Sequence, residues 1–317
     1  MRRQPKCTVI IPTYNRARLL GYTLQSLVLQ ALHPDRFEVI VVDDGSSDET
    51  ATVVEEFRDV LQLQYFFQPD EGFRAATARN VGIHHARADV CVFVDSGMLL
   101  HADFLNRHLA QHTAGRPVAV VGYNYGHRQD AAETWELQDE LDVRDPTATI
   151  TRLAQQPQWQ DIREPFYAKY GDEFHHLPAP WVVFWAGNIS VPTEQLHVVG
   201  MFDEGFRSWG GEDLDLGYRL HREGVPIVLS RQATAVHLPH DKSGDANEQS
   251  AGGNYRYMAA KYATPITRLL PLFPAINPFT MNDWITDLAL PSCEEYLGRD
   301  VISGIKAAIA MTQGSSR

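Results

Sequence analysis

Cys7-Thr8-Val9-Ile10-Ile11-Pro12-Thr13-Tyr14-Asn15-Arg16 and Phe37-Glu38-Val39-Ile40-Val41-Val42-Asp43-Asp44-Gly45-Ser46 decide how this chain folds. Each is a short apolar, β-branched run without polar alternation, closed by turn-forming residues, and so predicts a strand buried on both faces. Between them Leu20, Leu24 and Leu27 recur at i, i+4 and i+7, the spacing of a helix with one apolar stripe, and Asn15 is placed to cap it. Strand, helix, strand with continuous apolar strands is a parallel βαβ unit. The pattern repeats outward. Ser46 and Glu49 form a capping box for a helix through Val53, Val54 and Phe57, and Leu63 to Phe67 reads as a third strand. A helix is expected over residues 74–87, and Val90 to Val94 and Val118 to Val121 read as the fourth and fifth strands. These units predict an α/β protein with an open, mostly parallel sheet covered by helices on both faces.

From residue 125 to 180 the periodicity dissolves into polar, proline-containing and aromatic residues, as in a loop-rich substrate region. Order returns with the apolar run Trp181-Val182-Val183-Phe184-Trp185. A helix over residues 212–223 follows, then two late strands, Val225 to Leu229 and Ala233 to Val236. Beyond them lie helical fragments broken by Pro271, Pro274, Pro278 and Pro291, and Thr312 to Arg317 reads as a frayed tail.

The 317 residues carry 28 Lys and Arg against 40 Asp and Glu, a net charge of -12 that argues against nucleic acid or an anionic membrane surface as a partner. Cys7, Cys91 and Cys293 are odd in number and show no C-x-x-C spacing, so neither structural zinc nor a disulfide framework is expected. The basic N-terminus is followed by an apolar run that stops at Pro12, too short for a signal peptide. No apolar stretch approaches the ~20 residues that span a bilayer. A cytoplasmic chain with reduced thiols is the expectation, and a homodimer remains open.

In an open parallel sheet, ligands bind outside the carboxyl ends of the strands. Here those ends carry Pro12-Thr13-Tyr14-Asn15-Arg16, Asp43-Asp44-Gly45-Ser46-Ser47-Asp48 and Asp95-Ser96-Gly97. Acidic groups there can accept hydrogen bonds from a ribose hydroxyl or a base N–H. No two of the 22 glycines are two residues apart, which removes the G-x-G-x-x-G fingerprint. Lys242-Ser243 follows Asp241 rather than Gly, which removes a P-loop. His108 and His112 stand at i, i+4 without a third ligand and read as a solvated helix face.

Val9 to Arg16, Val41 to Ser46 and Ala78-Arg79-Asn80-Val81-Gly82 resemble the nucleotide-sugar half of family 2 glycosyltransferases, which have the GT-A fold. Ala186-Gly187-Asn188-Ile189-Ser190, Gly200-Met201-Phe202-Asp203-Glu204 and Trp209-Gly210-Gly211-Glu212-Asp213-Leu214-Asp215 resemble the acceptor half of chondroitin-polymerase-type and β-1,4-galactosyltransferase-type enzymes. The resemblance implies residues 1–122 as a nucleotide-sugar half, 123–265 as an acceptor-binding and catalytic half of the same domain, and 266–317 as a helical extension. It implies an inverting transfer from a nucleoside diphosphate sugar, by preference UDP-linked, to a hydroxyl acceptor that may be a saccharide, a small natural product or a peptide. Pro12, Thr13, Asp43 and Asp44 would hold base and ribose, with Tyr14, Asn15, Arg16 and Ser96 on the same donor side. Arg74 and Arg79 would approach the diphosphate, as guanidinium forks suit phosphate oxygens.

The family places a D-x-D triplet at the fourth strand end to bind a divalent metal; this chain has Asp95-Ser96-Gly97, with one carboxylate. A cation resting on substrate phosphates can use one carboxylate. The relatives' late histidine ligand falls on His237, with His240 as second choice, and an imidazole favours Mn²⁺ over Mg²⁺. By the same resemblance Asp213 is the general base and Glu212 contacts the acceptor, with Asn188, Gly210 and Gly211 beside them and Trp185 and Trp209 as platforms for sugar rings. Asp213 near a helix N-terminus is expected to be ionised at neutral pH. Asp215, roughly 200° around the helix from Asp213, reads as structural. Two other readings stay open: a glycosyltransferase-like protein that only binds nucleotide sugar, motivated by the incomplete triplet, and a sugar nucleotidyltransferase. The latter lacks a Gly-rich loop after the first strand.

Overall fold

A computed structural model describes residues 4–113, 115–126, 131–240, 244–292 and 296. Its strands are β1 (Cys7–Thr13), β2 (Phe37–Asp43), β3 (Leu63–Phe67), β4 (Val90–Val94), β5 (Met98–Leu100), β6 (Ala119–Tyr125), β7 (Asn188–Pro192) and β8 (Ile227–His237). The helices are α1 (Ala17–Val28), α2 (Thr50–Glu55), α3 (Ala75–His85), α4 (Phe104–Gln111), α5 (Ala131–Glu140), α6 (Pro146–Leu153), α7 (Glu164–Tyr170), α8 (Thr193–Val198), α9 (Glu212–Arg222), α10 (Gly244–Tyr262) and α11 (Met281–Asp287). The expected tail at Thr312 to Arg317 and the third cysteine, Cys293, lie outside the described residues.

One eight-stranded sheet runs β3-β2-β1-β4-β7-β6-β8-β5. From β3 to β4 every pairing is parallel, as the apolar runs predict. β7 then enters antiparallel between β4 and β6, and β5 pairs antiparallel with β8. Alternate residues of the central strands serve two cores. Val9, Ile11, Val39 and Val41 face Leu20, Leu24 and Leu27 of α1, while Ile10, Cys91 and Phe93 face α3, α9 and Trp181. Burial of both faces makes these strands continuously apolar in sequence.

Several local expectations change. Arg16, not Asn15, occupies the N-cap of α1. Asn15 sits at φ 49° and its Oδ1 accepts the Ser47 N–H at 2.8 Å. Ser46 makes no capping box, because α2 begins at Thr50. Its hydroxyl accepts from the Asn15 N–H at 2.8 Å, and Asp48 takes the Ala17 N–H at 2.9 Å. The loop after β2 therefore caps α1 through Asp48, and Asn15 of the loop after β1 holds the β2 loop in return. The two late strands are one, β8, with a register shift opposite Gly122 and Tyr123. Residues 125–180 are more ordered than expected, because α5, α6 and α7 lie within them. Residues Pro180–Val183 form a 3-10 turn.

His108 is fully buried rather than solvated. Its ring lies 2.8 Å from Asn188 Oδ1 and 2.9 Å from Ser190 Oγ, and burial drives its pKa down to about 3. The neutral ring donates from Nε2 to Asn188 and accepts at Nδ1 from Ser190, whose oxygen also meets His112 Nε2 at 2.8 Å. Asn188 Nδ2 donates to Asn124 Oδ1 at 2.8 Å and to the Ala233 carbonyl at 3.1 Å. With no exposed surface, Asn188 belongs to the core, which corrects its assignment to the acceptor. A Cβ at Gly122 would fall 2.1 Å from Asn188 Oδ1, a side chain fixed at both ends. Gly122→Ala is expected to cost about 1–3 kcal/mol in urea unfolding, through overpacking of this network.

Candidate active site

The carboxyl ends of β1, β2 and β4 open on one side, and the side chains there first satisfy each other. Asp43, 1% exposed, accepts from Gly45 N–H at 3.1 Å, Ser46 N–H at 2.7 Å and the Tyr65 hydroxyl at 2.6 Å. Asp44 accepts the Arg74 N–H at 2.8 Å and the Gln68 amide at 2.5 Å, with the Arg74 guanidinium at 3.2 Å. Arg74 also reaches Glu71 at 3.0 Å and the Pro69 carbonyl, so its fork is already engaged by its own loop. Thr13 gives its carbonyl to the Asp44 N–H at 2.9 Å, while its buried hydroxyl has no partner among the described residues. Pro12 lies beside it in β1 and is partly buried. Tyr14 stands outward with its ring exposed, held by a 2.8 Å hydrogen bond to Asp70.

Arg79, projected by α3, joins the two ends of the site. Its guanidinium donates to Asp95 at 3.0 Å and to Glu212 at 2.9 Å, and lies 5.3 Å from the Phe202 ring centroid. Burial opposes its charge, but Asp95, Glu212 and Asp213 together hold it firmly protonated. Arg79 thus spans from the end of β4 to the start of α9. Glu212 is 6% exposed, and its second oxygen, Oε2, is buried without a partner among the described residues. The Asp95 side chain keeps 43% of its surface exposed. Arg16 sits half-buried near Asp95, its pKa lowered by burial against the pull of that carboxylate. Ser96 is partly exposed in the turn after Asp95.

Across from Asp95, Gly210 and Gly211 both take left-handed backbone, φ 89° and 99°, which permits the tight entry into α9. The loop is clamped by Asn254 of α10, whose amide donates to the carbonyls of Ser208 at 3.0 Å, Trp209 at 3.3 Å and Gly210 at 2.6 Å. Trp209 projects outward, 50% exposed. Asp213 accepts from the N–H groups of Leu214 at 2.8 Å and Ala186 at 3.3 Å. Those bonds and Arg79 favour its charge, yet burial and neighbouring Glu212 outweigh them and push its pKa up to about 7. Burial and Glu212, rather than the helix terminus, therefore dominate the electrostatics at Asp213. Asp215 is buried in a separate cluster with Arg219, Lys261 and Tyr262.

His237 ends β8 opposite Met98, and the Leu238 N–H donates to the Gly97 carbonyl at 2.9 Å, so the sheet carries this histidine to the turn that bears Asp95. The His240 ring lies 5.0 Å from it. Among the described residues no group of three or more His, Cys, Asp or Glu forms a metal cluster. One exposed carboxylate and one imidazole fit a cation that takes its remaining ligands from a diphosphate and water. Gly97 cannot restore the second D-x-D carboxylate: its φ is 101°, and a Cβ would point at Leu19, 3.6 Å away. Asn254 carries no sequence signal, since it acts through contacts distant in the chain, and Asn80, though within a quoted motif, binds Phe202 and Glu204 in a way the motif did not show.

A half-parallel, eight-stranded sheet with acidic strand ends facing a buried Glu-Asp pair defines a glycosyltransferase of the GT-A fold. The chain belongs to glycosyl transferase family 2: that family's model matches residues 8–171, and the model described as the N-terminal domain of galactosyltransferase matches residues 171–241. It is 39% identical over 249 residues to validoxylamine A glucosyltransferase of Streptomyces hygroscopicus subsp. limoneus, covering 78% of this chain and 54% of that relative. The chain thus spans about half the length of this curated relative. Among solved structures, S. aureus TarS 1-349 in complex with UDP-GlcNAc superposes with a TM-score of 0.59 at 19% identity, covering 81% of this chain and 66% of that one. Mannosyltransferase PcManGT from Pyrobaculum calidifontis, in complex with GDP-Man and Mn²⁺, gives a TM-score of 0.59 at 18% identity, covering 98% and 81%. Enzymes of this family take a nucleotide-sugar donor and an acceptor. Among the described residues no helix is long and apolar enough to cross a membrane.

Arg79→Met leaves Glu212 buried and charged without its cation, and is expected to cost about 3–5 kcal/mol in urea unfolding at pH 7. Glu212→Gln in that background should recover part of the loss, which distinguishes an ion pair from lost packing.

Proposed function

We propose that this enzyme moves a sugar, in first instance glucose, from a UDP-linked donor to a hydroxyl acceptor with inversion, Asp213 serving as general base. The observation that carries this reading is the buried Arg79 guanidinium, bound to Asp95 at 3.0 Å and to Glu212 at 2.9 Å, which sets the Glu212-Asp213 pair beside the end of β4. The acceptor oxygen attacks the anomeric carbon while its proton passes to Asp213, and the bond from that carbon to the diphosphate breaks. A single displacement from the face opposite the leaving group inverts the centre. A base with a pKa near the working pH combines a populated ionised form with adequate proton affinity. Glu212 Oε2, buried and unpartnered among the described residues, would accept from a second acceptor hydroxyl. The glucosyltransferase relative supports the choice of sugar, and the UDP-GlcNAc complex of TarS supports the choice of base.

Residues 1–122 form the donor half in this reading, 123–265 the acceptor half and 266–317 the extension. Asp43, Asp44 and Thr13 shape the nucleoside end, mainly by fixing the loop, and Arg16, half-buried near Asp95, is a second cation beside Arg79 for the diphosphate. A divalent ion, when bound by Asp95 and His237, would neutralise charge on the departing diphosphate. The Mn²⁺ of the PcManGT complex supports that assignment.

Asp213→Asn is expected to lower kcat by about 10²–10⁴-fold while leaving UDP affinity unchanged. In the wild type kcat/KM should rise with pH and level off above about 7, because only ionised Asp213 accepts the proton. The stability sign is opposite. A carboxyl raised above its unfolded value of ~3.9 binds more protons when folded, so its contribution is complete below that value and is lost as pH rises through about 7. The Asp213→Asn protein should therefore melt above the wild type at pH 8, with the gain vanishing towards pH 4.

For the metal, UDP with Mn²⁺ should raise the melting temperature more than UDP alone. Asp95→Asn and His237→Ala should each abolish that increment, a measurement independent of turnover.

A further inference from the structure

Neither donor binding nor proton transfer uses the C-terminal segment, yet it is fastened to the acceptor half. Asn282, 2% exposed, accepts the Ala179 N–H at 2.8 Å and donates to the Ala179 carbonyl at 3.2 Å. Asp283 accepts the Tyr170 hydroxyl at 2.7 Å and pairs with Lys169. These anchors bring the Phe279 ring to 6.0 Å from Trp185, at an interplanar angle of 32°. Trp185 in turn rests over the fully buried Arg163, whose guanidinium lies 5.2 Å from its ring. The next residue, Ala186, is the one whose N–H binds Asp213. From α10, Tyr255 packs edge-on against Phe273 at 6.1 Å and directly follows Asn254, which holds the Gly210 carbonyl of the loop leading into Glu212 and Asp213. Burial, with the charges of those two carboxylates, raises the Tyr255 phenol pKa. Trp185, Tyr255 and Phe279 are all partly exposed.

We propose that Phe279 and Tyr255 complete the acceptor subsite and select a saccharide: Trp185 and Phe279 flank the C–H face of a sugar ring, and the Tyr255 hydroxyl binds one of its hydroxyls beside Asp213. A pyranose offers an apolar face for aromatic rings and a rim of hydroxyls for polar groups at its edge. The buried Glu212 Oε2 adds an acceptor at that rim. A peptide acceptor would present one hydroxyl and leave Glu212 Oε2 unsatisfied, a costly outcome for a buried oxygen. The inference rests on the transferase reading given above and specifies its acceptor class.

The test compares wild type, Phe279→Ala and Tyr255→Phe, each checked for native melting, by saturation-transfer NMR with methyl glycosides of glucose, galactose and N-acetylglucosamine. The same proteins are then assayed for transfer from UDP-glucose to the best-binding glycoside, with donor hydrolysis counted separately. Phe279→Ala should weaken glycoside binding and raise acceptor KM about three- to tenfold, and Tyr255→Phe should do likewise. Acceptor KM should change more than donor KM in both variants. Glycoside binding that both variants retain in full, or that the wild type lacks, overturns the subsite. A wild type that binds glycosides through Phe279 but never turns over a sugar nucleotide upholds the subsite and overturns the transferase reading.

Discussion

The site depends on one buried cation. Arg79 is the guanidinium that Asp95 and Glu212 share, and it is drawn from a helix that packs under the first two strands. Burying a charge costs several kcal/mol unless it is paired and hydrogen-bonded. Here two carboxylates on opposite sides of the site pair it, so the position of α9 relative to β4 follows from the electrostatics of one residue. The arrangement leaves an imbalance. Asp95, Glu212 and Asp213 gather around the one guanidinium of Arg79, an excess of acidic groups over cations. Burial first, and the neighbouring Glu212 second, raise the Asp213 pKa against the pull of Arg79. The same excess suits a divalent ion on Asp95, because that ion would be attracted by the whole cluster and not only by its ligands.

Much of this could be read along the chain. β1, β2 and β4 are buried on both faces, so each appears as an uninterrupted apolar run, and the polar turns that follow mark the strand ends. Glu212 and Asp213 stand out because two glycines precede them and a helical apolar stripe follows. What could not be read was made by contacts between distant segments. Asn188 lies in a polar motif, but only the pairing of β7 between β4 and β6 turns it inward to His108, 80 residues away. The i, i+4 spacing of His108 and His112 suggested a solvated face for the same reason: periodicity reports which residues share a side and not what covers it. Asn254 sits beside two glycines in a helix of weak amphipathicity, and its role depends on a loop 44 residues earlier. The capping expectations failed differently. Asn15 and Ser46 do bind backbone N–H groups, or accept from them, but across two loops rather than within their own helices.

Asp213 shows how two sequence-level rules with opposite signs resolve. A helix N-terminus stabilises a carboxylate by up to ~1 kcal/mol at an exposed site. Burial and a like charge one residue away act more strongly in the other direction, and they prevail here. The outcome could not be decided from order in the chain, because the weight of each effect is set by burial. The cost falls on folding: an ionised Asp213 is unfavourable in the folded state at and above neutral pH. Features around it offset that cost, notably the Asn254 clamp on three successive carbonyls and the backbone N–H bonds from Leu214 and Ala186.

The clamp also connects Glu212 and Asp213 to the segments packed around them. α10 supplies Asn254 to the loop before α9 and Tyr255, at the next position, to the space in front of it. A helix that fixes the loop therefore also fixes the phenol, since adjacent helical residues are rigidly related by about 100° of rotation. Displacing α10 would release the left-handed Gly210-Gly211 turn, move Trp209 and alter the field at Asp213 together. Arg163 plays the matching part on the opposite wall, where its hydrogen bonds to Asp161 and to the carbonyls of Val183 and Gly122 hold the support under Trp185. Under the roles proposed above, acceptor recognition and the placement of Asp213 share these supports, so a substitution that moves either buried group is expected to alter acceptor binding and Asp213 titration jointly rather than one alone.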